Sequence, residues 1–121
     1  MDVRVKVSIS KKPDIPIMGP GPLRLLEKIK EHSSINQAAK SMGLSYVKAL
    51  NMLNRLEENI EHKILIRKRG GNDRGGTELT PFAEKYIAEY RSLEAKINNF
   101  AKREFKVFLN EVTKLNERPK K

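Results

Sequence analysis

The 121-residue sequence has no cysteine. Disulfides and thiolate metal sites are therefore excluded, and a reducing compartment is the matching expectation. Long apolar runs are missing too. Stretches such as Ile64-Leu65-Ile66 fall far short of the roughly 20 residues that span a bilayer, so nothing reads as transmembrane. The opening "MDVRVKVSIS" alternates apolar with polar residues instead of presenting the continuous apolar stretch of a secretion signal, and the expected location is cytoplasmic. Acidic residues are in short supply, 15 Asp and Glu against 25 Lys and Arg, for a formal net charge of +10. Such an excess attracts polyanions in a salt-dependent way, with nucleic acid the first partner to consider. His32 and His62 stand far apart with no ligand pattern around them, and the Ser, His and Asp residues form no local catalytic grouping. No metal, cofactor or enzymatic activity is expected. A chain of this length supports one domain with an appendage.

What is present is a succession of short patterned segments. Val3, Val5, Val7 and Ile9 alternate with Arg4, Lys6 and Ser8, the period of a half-buried strand. Residues 11–22, "KKPDIPIMGPGP", hold four of the six prolines and must form an extended or turning connection. A helix is predicted from Pro22 through Leu23, Leu26 and Ile29 to about His32. In "SSINQAAKSMGLS", Ser34 caps a second helix with Gln37 three residues on as its capping-box partner, and Gly43 ends that helix after about two turns. Ser45 then caps a third, from Tyr46 to about Asn59, with Ala49, Leu53, Leu56 and Ile60 as its buried stripe.

Two helices joined by a short turn around a glycine make a helix-turn-helix. At 100° per residue, Lys48, Asn51, Arg55 and Asn59 fall opposite the buried stripe of the third helix. Cationic and amide side chains of this kind read base edges and phosphates in a major groove, so Lys48, Asn51 and Arg55 are candidate DNA contacts. Asn36 and Gln37, in the first turn of the second helix, are candidate phosphate contacts. Ser45 serves first as a cap and second as a phosphate contact. Tyr46 lies towards the buried side, with its hydroxyl able to reach the DNA backbone.

The stretch "RKRGGNDRGGTELTP", residues 67–81, holds four of the seven glycines. A phosphate-binding loop would need a Gly-Lys-Ser/Thr ending and a following helix, and here β-like "TELT" follows. With the β-prone "HKILIRKR" before it, the segment reads as a hairpin whose glycine-rich tip approaches a sugar-phosphate backbone. Lys68, Arg69, Asn72 and Arg74 are its candidate contacts, and Arg69 and Arg74, nearest the tip, rank above Arg67.

Thr80 and Pro81 open a final helix about 35 residues long. Its apolar positions, Phe82, Tyr86, Tyr90, Leu93, Ile97, Ala101, Phe105, Phe108, Val112 and Leu115, recur about every 3.67 residues, with Phe100 and Val107 widening the stripe. So long a stripe calls for a second copy of the same helix. Tyr86, Tyr90, Leu93, Ile97, Ala101, Phe105, Phe108 and Val112 are the candidate homodimer interface. The expected organisation is a DNA-binding domain over 1–80, a dimerisation helix over 81–116 and a polar tail over 117–121.

The segment from "SSINQAAKSMGLSYVKALNMLNRLEENIEHKILIRKR" through "GGNDRGGTELTPFAEKYIAEYRSLEAKI" resembles the N-terminal DNA-binding domain of the ModE family of molybdate-responsive regulators. The likeness runs over roughly residues 22–105, and its most particular pieces are "SINQAAKSMGLSY" and "GGNDRGGTELT". LysR-type regulators share the "S-x-x-x-AA" phrasing and the "LT" after the wing, and are a more distant match. The resemblance implies a dimeric winged helix-turn-helix in which Ser45, Tyr46 and the residues after them enter the major groove while the wing meets the flanking backbone. Where the family commonly has a basic residue directly after Ser-Tyr, this sequence has Val47. The family's full-length members continue into oxyanion-binding domains, whereas this sequence ends at Lys121, so no oxyanion site is expected within it.

The expected fold class is therefore mainly α with a small β-hairpin, a winged helix-turn-helix with a long C-terminal dimerisation helix. The expected function is sequence-specific transcription regulation by a homodimer on double-stranded DNA bearing an inverted repeat, with no membrane partner. The alternatives are a winged-helix protein-interaction adaptor and an architectural DNA-binding protein without sequence preference.

Overall fold

The computed structural model of the protein describes residues 1–68 and 76–116. In chain order its elements are β1 (Ile9–Lys12), β2 (Ile15–Met18), α1 (Pro20–His32), α2 (Ile35–Ser41), α3 (Tyr46–Ile60), β3 (Leu65–Arg67), β4 (Thr77–Leu79) and α4 (Pro81–Asn116). Contacts divide the chain into two compact units, Val7–Glu89 and Met1–Lys6 with Tyr90–Lys121. The division falls inside α4, between Glu89 and Tyr90. Among the described residues no helix is long and apolar enough to cross a membrane.

In the first unit, α1 buries Leu25, Leu26 and Ile29 against residues that include Ile35, Ala38 and Ala39 of α2 and Ala49, Leu53 and Leu56 of α3. Leu25 belongs to the core, whereas Leu23 is only half-buried. The helix begins at Pro20, two residues earlier than predicted, because prolines at the first helical positions lack only N–H groups that have no partner there in any case. The Ser34 hydroxyl accepts from the Gln37 N–H at 3.0 Å and the Ser45 hydroxyl from the Lys48 N–H at 3.1 Å, so both caps form where the sequence placed them. Gly43 sits at φ 69° in the turn between α2 and α3. An added Cβ would meet nothing within 4 Å there, so the requirement for glycine is conformational.

The wing pairs Leu65 with Leu79, Ile66 with Glu78 and Arg67 with Thr77. One carboxylate anchors its first strand: Glu57 of α3 accepts from the Ile64 N–H at 2.9 Å and the Leu65 N–H at 3.2 Å. Thr80 anchors the other. Its hydroxyl donates to the Lys63 carbonyl at 2.7 Å and accepts from the Ala83 N–H at 3.0 Å, capping α4 and clamping it to the start of the wing. Thr80→Ala is expected to lower stability by about 0.5–2 kcal/mol, the cost of a lost cap, with the Lys63 carbonyl orphaned as well. Thr80→Ser should retain most of it. Urea denaturation of both variants tests this, and equal midpoints would dismiss the clamp.

Two features depart from expectation at the N-terminus. The strand predicted over Val3 to Ile9 begins only at Ile9, and it pairs with Ile15–Met18 across a turn at Pro13 and Asp14, so the proline-rich connection supplies its partner. Upstream, the alternation survives as half-buried Val3, Val5 and Val7 between exposed neighbours. In the second unit the Asn98 side chain stands in for a partner strand at Val5: its Oδ1 accepts from the Val5 N–H at 2.8 Å and its Nδ2 donates to the Val5 carbonyl at 3.0 Å.

Candidate nucleic-acid interface

The outward face of α3 carries Val47, Lys48, Asn51, Asn54, Arg55 and Glu58, all exposed. It presents cations, amides and one β-branched apolar side chain, with Glu58 the acidic member. Val47 is 65% exposed, an aliphatic group positioned at the start of the helix where polar residues would be cheaper to solvate. Hydrophobic patterning missed it because a single valine off the buried stripe carries no periodic signal. Arg55 leans sideways, with its Nη1 3.5 Å from the Pro16 carbonyl of β2. Asn59, opposite the stripe by rotation, turns its Nδ2 back on the Arg55 carbonyl at 2.8 Å and so is spent on its own helix.

Beside that face lies an open cleft of about 540 Å³. Asn36 and Gln37 from the first turn of α2, Tyr46 from the first turn of α3 and Arg67 from β3 share its lining. Three sequence candidates are thus brought together with the arginine ranked below the tip residues. The reason lies in register. Arg67 is paired with Thr77, and the Thr77 N–H donates to the Ser33 carbonyl at 2.9 Å, which ties this end of the wing to the α1–α2 turn. Counting residues from the hairpin tip could not reveal that tie.

Tyr46 is 43% exposed, its ring lining the cleft instead of entering the core. Ser34 and Ser45 are both occupied as caps. Lys68 pairs with Glu78 at 2.8 Å across the wing, an exposed ion pair that a phosphate could displace at little cost. Arg69, Asn72 and Arg74 lie outside the described residues.

On α4 beyond Glu89, Ile97, Ala101, Phe105 and Val112 are half-buried, while Leu93, Phe100, Val107, Phe108 and Leu115 are exposed. Phe100 at 56% and Phe108 at 58% leave large aromatic faces in water. Phe105 and Phe108 stack with centroids 6.1 Å apart, and the Arg103 guanidinium lies 5.8 Å from the Phe100 ring centre. Two of the interface candidates differ from these. Tyr90 is already buried within the chain at 3% exposure. Tyr86 is half-buried beside Phe82, and burial pushes its hydroxyl above the ordinary tyrosine pKa.

The family model for bacterial regulatory helix-turn-helix proteins of the lysR family matches residues 21–84. The chain is similar to the molybdenum transport protein ModE of Azotobacter vinelandii, 37% identical over 91 residues covering 75% of this chain and 33% of that protein. It is similar also to the transcriptional regulator ModE of Haemophilus influenzae, 40% identical over 75 residues covering 62% of this chain and 29% of that one. The matched stretches thus span about a third of the length of these curated relatives. Among solved structures, the CbnR_DBD-DNA complex superposes with a TM-score of 0.56 at 18% identity, covering 72% of this chain and 94% of that chain, which establishes the winged-helix fold.

Proposed function

Because the chain belongs to the lysR family of bacterial regulatory helix-turn-helix proteins, we propose that it regulates transcription by binding double-stranded DNA as a homodimer on an inverted repeat. The observation that carries this is the junction of two surfaces: the exposed Lys48-Asn51 face of α3 and the adjoining cleft of Asn36, Gln37, Tyr46 and Arg67. An α-helix fits the major groove, about 12 Å wide, and meets base edges there. A cationic cleft alongside then receives a flanking phosphate, which positions the helix without reading sequence. The similarity to the transcriptional regulator ModE of Haemophilus influenzae and to the CbnR_DBD-DNA complex supports such a function. In this reading Lys48 and Asn51 contact bases, Val47 meets a thymine methyl or another apolar edge, and Arg67, with Lys68 and the tip residues Arg69, Asn72 and Arg74, holds backbone. The exposed apolar row of α4 pairs with its counterpart in a second copy and sets the half-site spacing.

Selection of bound duplexes from a random pool tests the reading, and recovery of an inverted repeat is expected. Lys48→Ala should weaken the selected duplex by about 1–3 kcal/mol if it contacts a guanine, and relax preference at that base pair. Arg67→Ala should weaken all duplexes alike and reduce the slope of log affinity against log salt by about 1. A pool that returns no motif would point instead to sequence-blind binding, and an Arg67 variant with an unaltered slope would remove the cleft from the interface.

A further inference from the structure

The β1–β2 hairpin packs on α3 on the side away from the wing. Pro16, Ile17 and Met18 line a small apolar cleft of about 260 Å³ with Met52 and Arg55 of α3. Arg55 reaches the Pro16 carbonyl at 3.5 Å. The wing cleft, by contrast, meets α3 at Tyr46. Tyr46 and Arg55 are nine residues apart, which at about 100° per residue places them half a turn from each other around the helix. The outward face of Val47, Asn51 and Asn54 lies between them. The reading helix is therefore flanked by two hairpins, one on either side of the face it presents.

The register of this hairpin concentrates charge. Ser10 pairs with Pro16 and Lys12 with Ile15, so Lys11 is the extra residue of a bulge and both lysines stand opposite Ile15. All four residues of β1 are exposed, and among the described residues neither lysine makes an ion pair. Asp14 at the turn is the one acid of the hairpin. A β-ribbon carrying two adjacent, unengaged lysines has little to gain structurally from them, since it buries its other strand, at Ile17 and Met18, on the domain.

We propose that the β1–β2 hairpin is a second wing, whose Lys11 and Lys12 contact the phosphate backbone on the side of α3 opposite the β3–β4 wing. The proposal rests on the DNA-binding reading above. A helix in the major groove has a phosphate backbone along each of its flanks, and the two hairpins occupy those two flanks. Their contacts are to backbone, so they add affinity and fix the tilt of α3 while leaving base preference to the helix.

The test is the salt dependence of binding to a mixed-sequence duplex, measured for the full chain and for the double variant Lys11→Gln, Lys12→Gln. Each phosphate contact contributes about 0.9 to the slope of log affinity against log salt, so the double variant should lose about 2 from it. The motif recovered from a random pool should be the same for both proteins. Asp14→Asn, which removes a like charge from the backbone's neighbour, should tighten binding at low salt. An unaltered slope in the folded double variant overturns the second wing and leaves the regulator reading intact. A changed motif with an unaltered slope overturns it equally, since the hairpin would then read bases. Salt-independent or absent duplex binding by the unsubstituted chain fails the underlying reading, and the second wing with it. Thermal unfolding confirms that the variants, altered only at exposed positions, are folded.

Discussion

Phe100→Glu combined with Phe108→Glu is expected to leave the protein monomeric and to lower its affinity for an inverted-repeat duplex by about 10²–10⁴-fold, the gain that linking two binding modules provides. Leu93, Phe100, Val107, Phe108 and Leu115 are all exposed along one helix. Fully burying a side chain of this size is worth about 1.5–3 kcal/mol, and a two-fold interface buries each position twice. A row of this extent has no structural use in water, and carboxylates at its centre would have to be desolvated on pairing. Binding to an isolated half-site should change little, because the reading helix lies in the other unit, Val7–Glu89. Sedimentation equilibrium of both proteins, with titration of full and half sites, checks each part. Should the double variant still sediment as a dimer, or the unsubstituted chain as a monomer at micromolar concentration, self-pairing through α4 is wrong.

The second large effect concerns the mooring of the reading helix. Leu56→Ala should destabilise the protein by about 2–5 kcal/mol, a sizeable part of the 5–15 kcal/mol typical of a whole domain. Leu56 has no exposed surface, and it lies on the stripe with Ala49 and Leu53. Next to it in sequence, Glu57 holds the start of β3 through two backbone N–H groups. Truncating Leu56 therefore loosens both the helix and the anchor of the wing. Denaturant unfolding of the variant measures the cost. A loss below about 1 kcal/mol would mean that the surroundings collapse into the vacated space and that α3 is not held mainly by this stripe.

Much of the fold was legible because local rules and the tertiary packing agree. Ser34, Ser45 and Thr80 cap the helices they were expected to cap, Gly43 takes the left-handed turn, and α4 runs from Pro81 to Asn116 as its uninterrupted pattern implied. The β1–β2 hairpin was not legible. Prolines at 13 and 16 read as a break in pairing, yet proline is tolerated at sheet edges and bulges, and this two-stranded ribbon is all edge. The match of Asn98 to Val5 was equally hidden, since an asparagine within a helix advertises no partner 93 residues away.

For the candidate interface the division is the same. Residue types and rotation alone determined that α3 carries its polar face outward and that the chain is strongly basic, because both follow from period and composition. Hydrophobic spacing likewise marked an apolar stripe along the whole length of α4. Only the tertiary structure decided that Arg67 shares a cleft with Asn36, Gln37 and Tyr46, that Arg55 turns towards a second hairpin, and that Tyr90 is consumed within the chain while Phe100 and Val107 remain in water. The first depends on the register of β3 against β4 and on the tie from Thr77 to Ser33, and the second on the contact of β2 with α3, all between segments apart in sequence. Periodicity says which face of an element is buried. What stands opposite that face is a property of packing.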